Sequence, residues 1–309
     1  MASSRENYCS RELEKAFDKL DLSYTHVCLS EGNFADYLPK LHMDPPSWTL
    51  SFEPFFEGLG PPHLFWADSL SSGLQLHDKE GVSIACHHPL SGFHSLSDGV
   101  SEELLRAPNE ERLFDLVLFD PLIDCAELEK TWEDLFDPTV LEKMYAIVRS
   151  SDPIQAVLQD DSLSVSQSDL LFFAQEYLRA KKVAQVVDSF GGTRVDLFGE
   201  HVGNNWLSRL KNREHIHLHW SLSYMDSLEV LKQSKILVAE RESPWFLPAL
   251  AAGCLVVEAH EAAPFLNSPQ KRIELVNELQ AEVLHRHSWE NRAQELMNIM
   301  EQPACTSIS

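Results

Sequence analysis

Residues 234–258 read SKILVAERESPWFLPALAAGCLVVE, and their order fixes the architecture of this half of the chain. Ile236–Ala239 is a short apolar run with the composition of a buried strand, and Cys254–Glu258 is a second one. Between them the chain makes a polar loop and then an apolar helix over Trp245–Ala252. Ser243 is an N-cap residue type and Pro244 suits the first helical turn. Gly253 stands where a helix ends in the left-handed conformation. Strand, loop, helix, glycine and strand within 25 residues reads as a parallel crossover unit, the helix being the usual connection between parallel strands.

The same alternation extends in both directions. Val195–Phe198, a helix near Asn205–Leu210, Ile216–Trp220 and a helix over Met225–Gln233 precede the quoted stretch, and two closing helices follow it. The pattern predicts an α/β fold with a doubly wound parallel sheet in the C-terminal half. Upstream, Leu128–Leu135, Val140–Arg149, Ile154–Leu158 and Asp169–Val187 carry apolar residues at three-and-four spacing and predict helices. Before them, Tyr24–Leu29, Trp48–Phe52, His63–Ala67, Val82–Cys86 and Phe114–Phe119 read as short strands of a second sheet. The expected organisation is an N-terminal α/β domain over 1–125, a helical bridge over 126–190 and a C-terminal domain over 191–309.

Composition bounds the function. The 309 residues have 44% hydrophobic and 24% charged side chains, the balance of a globular chain able to bury a core. Against 25 Lys and Arg stand 48 Asp and Glu, a formal charge of −23, which disfavours nucleic acid as a partner. A small phosphorylated ligand in a local pocket remains compatible with it. Six cysteines are scattered singly, without any CxxC pair, as in a reducing compartment. The opening MASSRENYCSRELEKAF lacks an apolar signal core, and no run approaches the ~18 apolar residues of a membrane span. A cytoplasmic protein without an integral membrane segment is expected.

Several stretches in this order resemble the GT-B glycosyltransferase superfamily, in particular its spore-maturation (CgeB-type) and group 1 members. PALAAGCLVV at 248–257 is similar to the helix-glycine-strand that follows their donor loop. VDLFGE at 195–200 resembles the strand and glycine turn opening the nucleotide-binding half. SLSYMDSLEVLKQSKILVA at 221–239, HSWENRAQELM at 287–297 and, in the first half, HLFWAD at 63–68 resemble further family segments. The likeness covers residues 185–300 well and 1–125 thinly. It implies two Rossmann-like domains and transfer of a sugar, as by a hexosyltransferase, from a nucleotide-sugar donor to an unidentified acceptor. No metal and no cofactor beyond the donor are implied.

One position departs from the pattern. Retaining members carry two Glu separated by seven residues, and here Glu240 fits the first while Pro248 occupies the second. A proline side chain cannot accept a hydrogen bond from a ribose hydroxyl. The departure is compatible with altered donor recognition, inverting chemistry or loss of activity. A non-catalytic binding or interaction protein built on the same fold is therefore the alternative.

The chemistry needs a surface for the nucleotide, stabilisation of the departing diphosphate and a group to deprotonate the acceptor. For the donor side the sequence offers Gly199, Lys211, Tyr224, Arg241, Ser243 and Trp245, with Glu240 at the donor sugar. Gly199 and Gly203 in FGEHVGNNW mark a strand end where backbone could approach a ligand. For the acceptor side, Asp68 and His88 stand at strand ends of the N-terminal half, as a base would. The plainer readings are a turn cap for Asp68 and a solvated loop for His88. His215, His217 and His219 share one strand face at period two, but lack a companion carboxylate or cysteine at ligand spacing. No GxSxG, P-loop, GxGxxG or HExxH motif is present.

Overall fold

The computed structural model describes residues 4–25, 43, 46–52, 62–76, 79–87, 93–158, 165–202, 210, 213–241 and 243–301. The chain divides into two compact units that are discontinuous in sequence. One comprises 1–106, 242–252 and 278–309, the other 107–241 and 253–277. These limits do not coincide with the boundaries expected at 125 and 190.

The first unit is built on four strands, β1 (Thr49–Ser51), β2 (His63–Trp66), β3 (Val82–Cys86) and β4 (His94–Ser95), all parallel and ordered as they occur in the chain. Every residue of β2 and β3 is buried, the polar His63 and Ser83 included, as in parallel strands with both faces covered. The predicted run Tyr24–Leu29 lies largely outside the described residues. The helix Ser4–Lys19, which mixed charge concealed in the sequence, buries Tyr8, Cys9, Leu13 and Ala16 and packs on the closing helix Trp289–Met300. That closing helix therefore belongs to the first unit and not to a C-terminal domain.

His63 is the unusual group of this core. The ring is fully buried, with Nδ1 2.6 Å from Thr49 Oγ1 and Nε2 3.0 Å from Ser51 Oγ on the neighbouring strand. Burial holds its pKa down at about 4 against an ordinary 6.5. The unfolded chain thus takes up this proton at a higher pH than the folded one. Stability from this group is intact above pH 6.5 and falls as the pH drops toward 4, by about 3 kcal/mol in total. Urea unfolding at pH 7 and pH 5 should show wild type losing about 2 kcal/mol more than His63→Gln. Equal losses would contradict a neutral, buried imidazole.

The second unit holds five parallel strands, β5 (Phe114–Leu118), β6 (Val195–Phe198), β7 (Ile216–His219), β8 (Ser234–Val238) and β9 (Leu255–Val257), in the spatial order β7-β6-β5-β8-β9. The predicted parallel pairing of the last four is present. The predicted strand at 114–119 is present too, but it is the central strand of this sheet and not a member of the first one. The reason is pairing: Leu116 lies opposite Val195 on one side and Ile236 on the other. The helices Cys125–Leu135, Pro138–Arg149, Pro153–Leu158 and Gln167–Ser189 are thereby the crossover from β5 to β6.

Period two sorts the strand residues. Leu116, Leu118, Val195, Leu197, Ile236, Val238, Leu255 and Val257 form one core with Val183 and Val187 of the long helix and with Ala262 and Val276. The alternate residues Val117, Leu237 and Val256 point the other way and are buried as well. Each fully buried aliphatic side chain contributes about 1.5–3 kcal/mol. The chain winds outward from β5 through β6 to β7, then returns to β8 on the other side. The winding reverses between β5 and β8, the switch point at which such sheets leave a crevice beyond the strands' carboxyl ends.

Candidate functional site

The first residues after β5 and β8 carry the carboxylates of that crevice. Phe119-Asp120-Pro121 follows β5 and Ala239-Glu240-Arg241 follows β8. Asp120 receives Arg179 Nε at 2.6 Å, and Glu240 pairs directly with Lys182. Both cations sit on exposed positions of Gln167–Ser189, one helical turn apart. The same helix buries Val183 and Val187 against the sheet, which fixes where that turn comes to rest. Desolvation and the neighbouring Glu240 charge push the Asp120 carboxyl above its ordinary range, while Arg179 and Lys182 oppose the shift. Two carboxylates and two cations thus neutralise each other at the switch point. An anion entering there would find Arg179 and Lys182, and a hydroxyl would find two acceptors.

Other predicted donor-side residues are placed as follows. Gly199 ends β6 at the same carboxyl edge, but the close approach it permits is to protein: a Cβ there would lie 2.8 Å from the Pro121 backbone. Tyr224 opens the helix Tyr224–Lys232, whose N-cap is Ser223, and its ring is buried. Arg241 is exposed beside Glu240. Ser243 and Trp245 fall in the first unit. Ser243 Oγ accepts the Trp245 N–H at 3.3 Å, and the helix begins at Phe246 with Trp245 as its N-cap, two residues later than the sequence suggests. The following Gly253 has φ +75°, the left-handed stop expected of it. Lys211, Gly203, His88 and most of the helix expected at 205–210 lie outside the described residues.

On the first unit, Asp68 follows β2 and accepts the Ser72 hydroxyl at 2.7 Å, while Ser69 caps the helix Leu70–Leu74. Asp68 also lines a small cavity of about 10 Å³ with Arg5, His87, Asp98 and Pro244. Arg5 binds Asp98 through two bonds of 2.9 and 2.6 Å. This volume accommodates about one water molecule. The neighbour that the structure brings to Asp68 is His87, the residue before the one singled out in the sequence.

The histidine strand has a structural occupation. His219 Nε2 lies 2.7 Å from Asp196, a fully buried carboxylate also held by Arg194 at 2.8 and 2.9 Å. The His219 ring stacks on Phe198 at 4.4 Å. Among the described residues, no group of three or more His, Cys, Asp or Glu converges as a metal site. No helix among them is long and apolar enough to cross a membrane.

Asp120, Arg179 and Lys182 escape sequence reasoning. A strand-end Asp before Pro121 was the available signal, but nothing in a helical run indicates that residues 59 and 62 positions later return to it.

No protein-family model and no curated protein matches the sequence. Among solved structures, the chain is similar to AviGT4, a glycosyltransferase involved in avilamycin A biosynthesis, at 9% identity and a TM-score of 0.46, over 95% of this chain and 88% of that one. TarM follows at 8% identity and a TM-score of 0.37, over 78% of this chain and 55% of that one. The N-terminal domain of Candida albicans trehalose-6-phosphate phosphatase aligns at 10% identity and a TM-score of 0.32, over 94% and 80%. These are remote likenesses. The fold itself defines an α/β protein with two all-parallel sheets, one of them doubly wound around a charged switch-point crevice.

Proposed function

We propose that the chain is a metal-independent, cytoplasmic glycosyltransferase of GT-B type that moves a sugar from a nucleotide-sugar donor to an acceptor. The observation that carries this reading is the reversal of strand order between β5 and β8, with Asp120, Arg179, Lys182 and Glu240 gathered at their carboxyl ends. In this reading Arg179 and Lys182 take the diphosphate, and leaving-group charge is stabilised by cations already in place. Glu240, released from Lys182 by the incoming phosphate, accepts donor-sugar hydroxyls beside Asp120. Gly199 and Arg241 border the nucleotide, with Lys211, Ser243 and Trp245 as further donor-side residues. Tyr224, its ring buried, supports the turn. Asp68, with His88 or its neighbour His87, serves the acceptor as base.

The second reading, a non-catalytic binding protein, is favoured by Pro248. It is buried inside the helix Phe246–Ala251, and it occupies the sequence position at which the glycosyltransferases this chain resembles carry a ribose-binding Glu.

Thermal unfolding with UDP-, GDP- and dTDP-sugars separates binding from its absence. A nucleotide at about 100 times its Kd should stabilise the fold by about 2.7 kcal/mol. No shift with any nucleotide would overturn the donor site. A shift without sugar turnover in the presence of candidate acceptors would support the binding protein.

A further inference from the structure

His201 lies in the turn after β6, with its ring half-buried between the chain segments that follow β5 and β7. Its Nε2 is 2.9 Å from the His219 carbonyl oxygen, and its Nδ1 is 3.0 Å from the Leu122 nitrogen. A carbonyl only accepts and a backbone N–H only donates, so one protonation state satisfies both contacts: neutral imidazole with the proton on Nε2. Around the ring, Val202 N–H donates to Leu122 O and Asp124 N–H to Val202 O, both at 3.1 Å. The β5 and β6 loops are thus zipped together, with His201 joining them to the end of β7.

We infer that His201, as the Nε2–H tautomer, is a positioning residue that holds the Asp120 loop in register at the switch-point crevice, and that protonating its Nδ1 releases that loop. A proton on Nδ1 would face the Leu122 N–H, donor against donor. The segment Phe119–Leu122 would lose its anchor to the His201 ring, and Asp120, two residues before Leu122 and then held through Arg179, would shift from its place opposite Glu240.

The surroundings favour the neutral ring. Burial lowers its proton affinity and the nearby His219 of β7 acts the same way, while the His219 and Leu197 carbonyls act in the opposite direction. On the β5 loop, Asp120 is engaged by Arg179, and Asp124 accepts the Ala126 N–H. Glu200 precedes the ring in its own turn.

The effect on ligand binding rests on the crevice being the nucleotide site, so the experiment has one arm that needs no ligand. In ¹⁵N-labelled protein, long-range ¹H–¹⁵N correlations should show His201 with an unprotonated Nδ1 and a protonated Nε2 at pH 7.5. As the ring titrates, exchange of the Leu122 amide, corrected for its intrinsic pH dependence, should accelerate about tenfold. In His201→Asn, whose side-chain oxygen can accept from Leu122 but does not titrate, that exchange should not change. In the second arm, UDP affinity measured from pH 8 to pH 5 should fall about tenfold more for wild type than for His201→Asn, Asp120 being common to both. An Nδ1–H tautomer, or parallel exchange profiles in the two proteins, overturns the inference. If UDP binds at no pH while the tautomer and exchange results hold, the donor reading fails and the positioning role of His201 stands. Should His201→Asn not fold, the wild-type ring titration and Leu122 exchange must share one midpoint; separate midpoints overturn the inference.

Discussion

Truncating Trp289 to alanine is expected to lower the unfolding free energy by about 3–5 kcal/mol, the range for removing a large aromatic side chain from a core. The ring is 3% exposed and opens the closing helix, which Ser288 caps through the Asn291 N–H at 3.3 Å. It meets the Tyr8 ring edge-on at 6.1 Å and Trp66 of β2 at 6.2 Å. Gly99 lies directly against it, where a Cβ would come within 2.5 Å of the indole. Next to it, Val100 N–H donates to His287 O at 2.8 Å and fixes the entry of the helix. One side chain therefore joins the helix Ser4–Lys19, the first sheet and the closing helix. Urea unfolding at neutral pH measures the loss, and amide exchange in residues 4–19 should accelerate with it. A change below 1 kcal/mol would mean that these contacts do not define the core. The Gly99 contact gives an internal control: Gly99→Ala should destabilise wild type but cost much less when Trp289 is leucine, because the clash is with the ring.

If the crevice is the donor site proposed above, replacing both Arg179 and Lys182 by alanine weakens nucleotide-sugar binding by at least about 100-fold. Each hydrogen bond to a charged group contributes about 1.5–3 kcal/mol, and two are lost together. Stability should change little in comparison. Both cations are more than half exposed, as is Glu240, while Asp120 is partly buried; screened pairs of that kind are worth about 0–1 kcal/mol each, the Arg179–Asp120 pair standing at the upper end. Calorimetric titration of wild type and double variant with UDP-, GDP- and dTDP-sugars is the measurement, with urea unfolding alongside. Unchanged affinity in a folded double variant would remove these cations from the donor site. If one is retained and the other replaced, the loss should be smaller and should track salt concentration, since the remaining contribution is a partly screened charge.

How much of this was legible depends on the range of each interaction. Gly253 could be assigned its left-handed stop because a helix end needs a residue free of the Cβ penalty, a local requirement. The strands at 195–198, 216–219, 234–238 and 255–257 were legible for a similar reason: a short apolar run between turn residues states its own conformation, and short helical crossovers force parallel pairing. Phe114–Leu118 could be identified as a strand but not assigned to a sheet. Its side-chain period is the same whichever partner it takes, and its partners Val195 and Ile236 are about 80 and 120 residues away. The helix Ser4–Lys19 shows the same limit, since its buried positions Cys9, Leu13 and Ala16 acquire meaning only against the closing helix.

The candidate site divides along the same line. Backbone propensity, period and loop length act within about ten residues, and they suffice for the α/β class, the parallel winding of the C-terminal strands and the strand-end position of Glu240. Tertiary structure alone decided that β5 is the central strand, that Gly199 accommodates Pro121, and that Asp120, Arg179, Lys182 and Glu240 meet. Those four lie on three segments spread over 120 residues of chain. Their convergence follows from how Val183 and Val187 seat one long helix on the sheet, and packing of that kind leaves no mark in the local spacing of the charged residues it brings together.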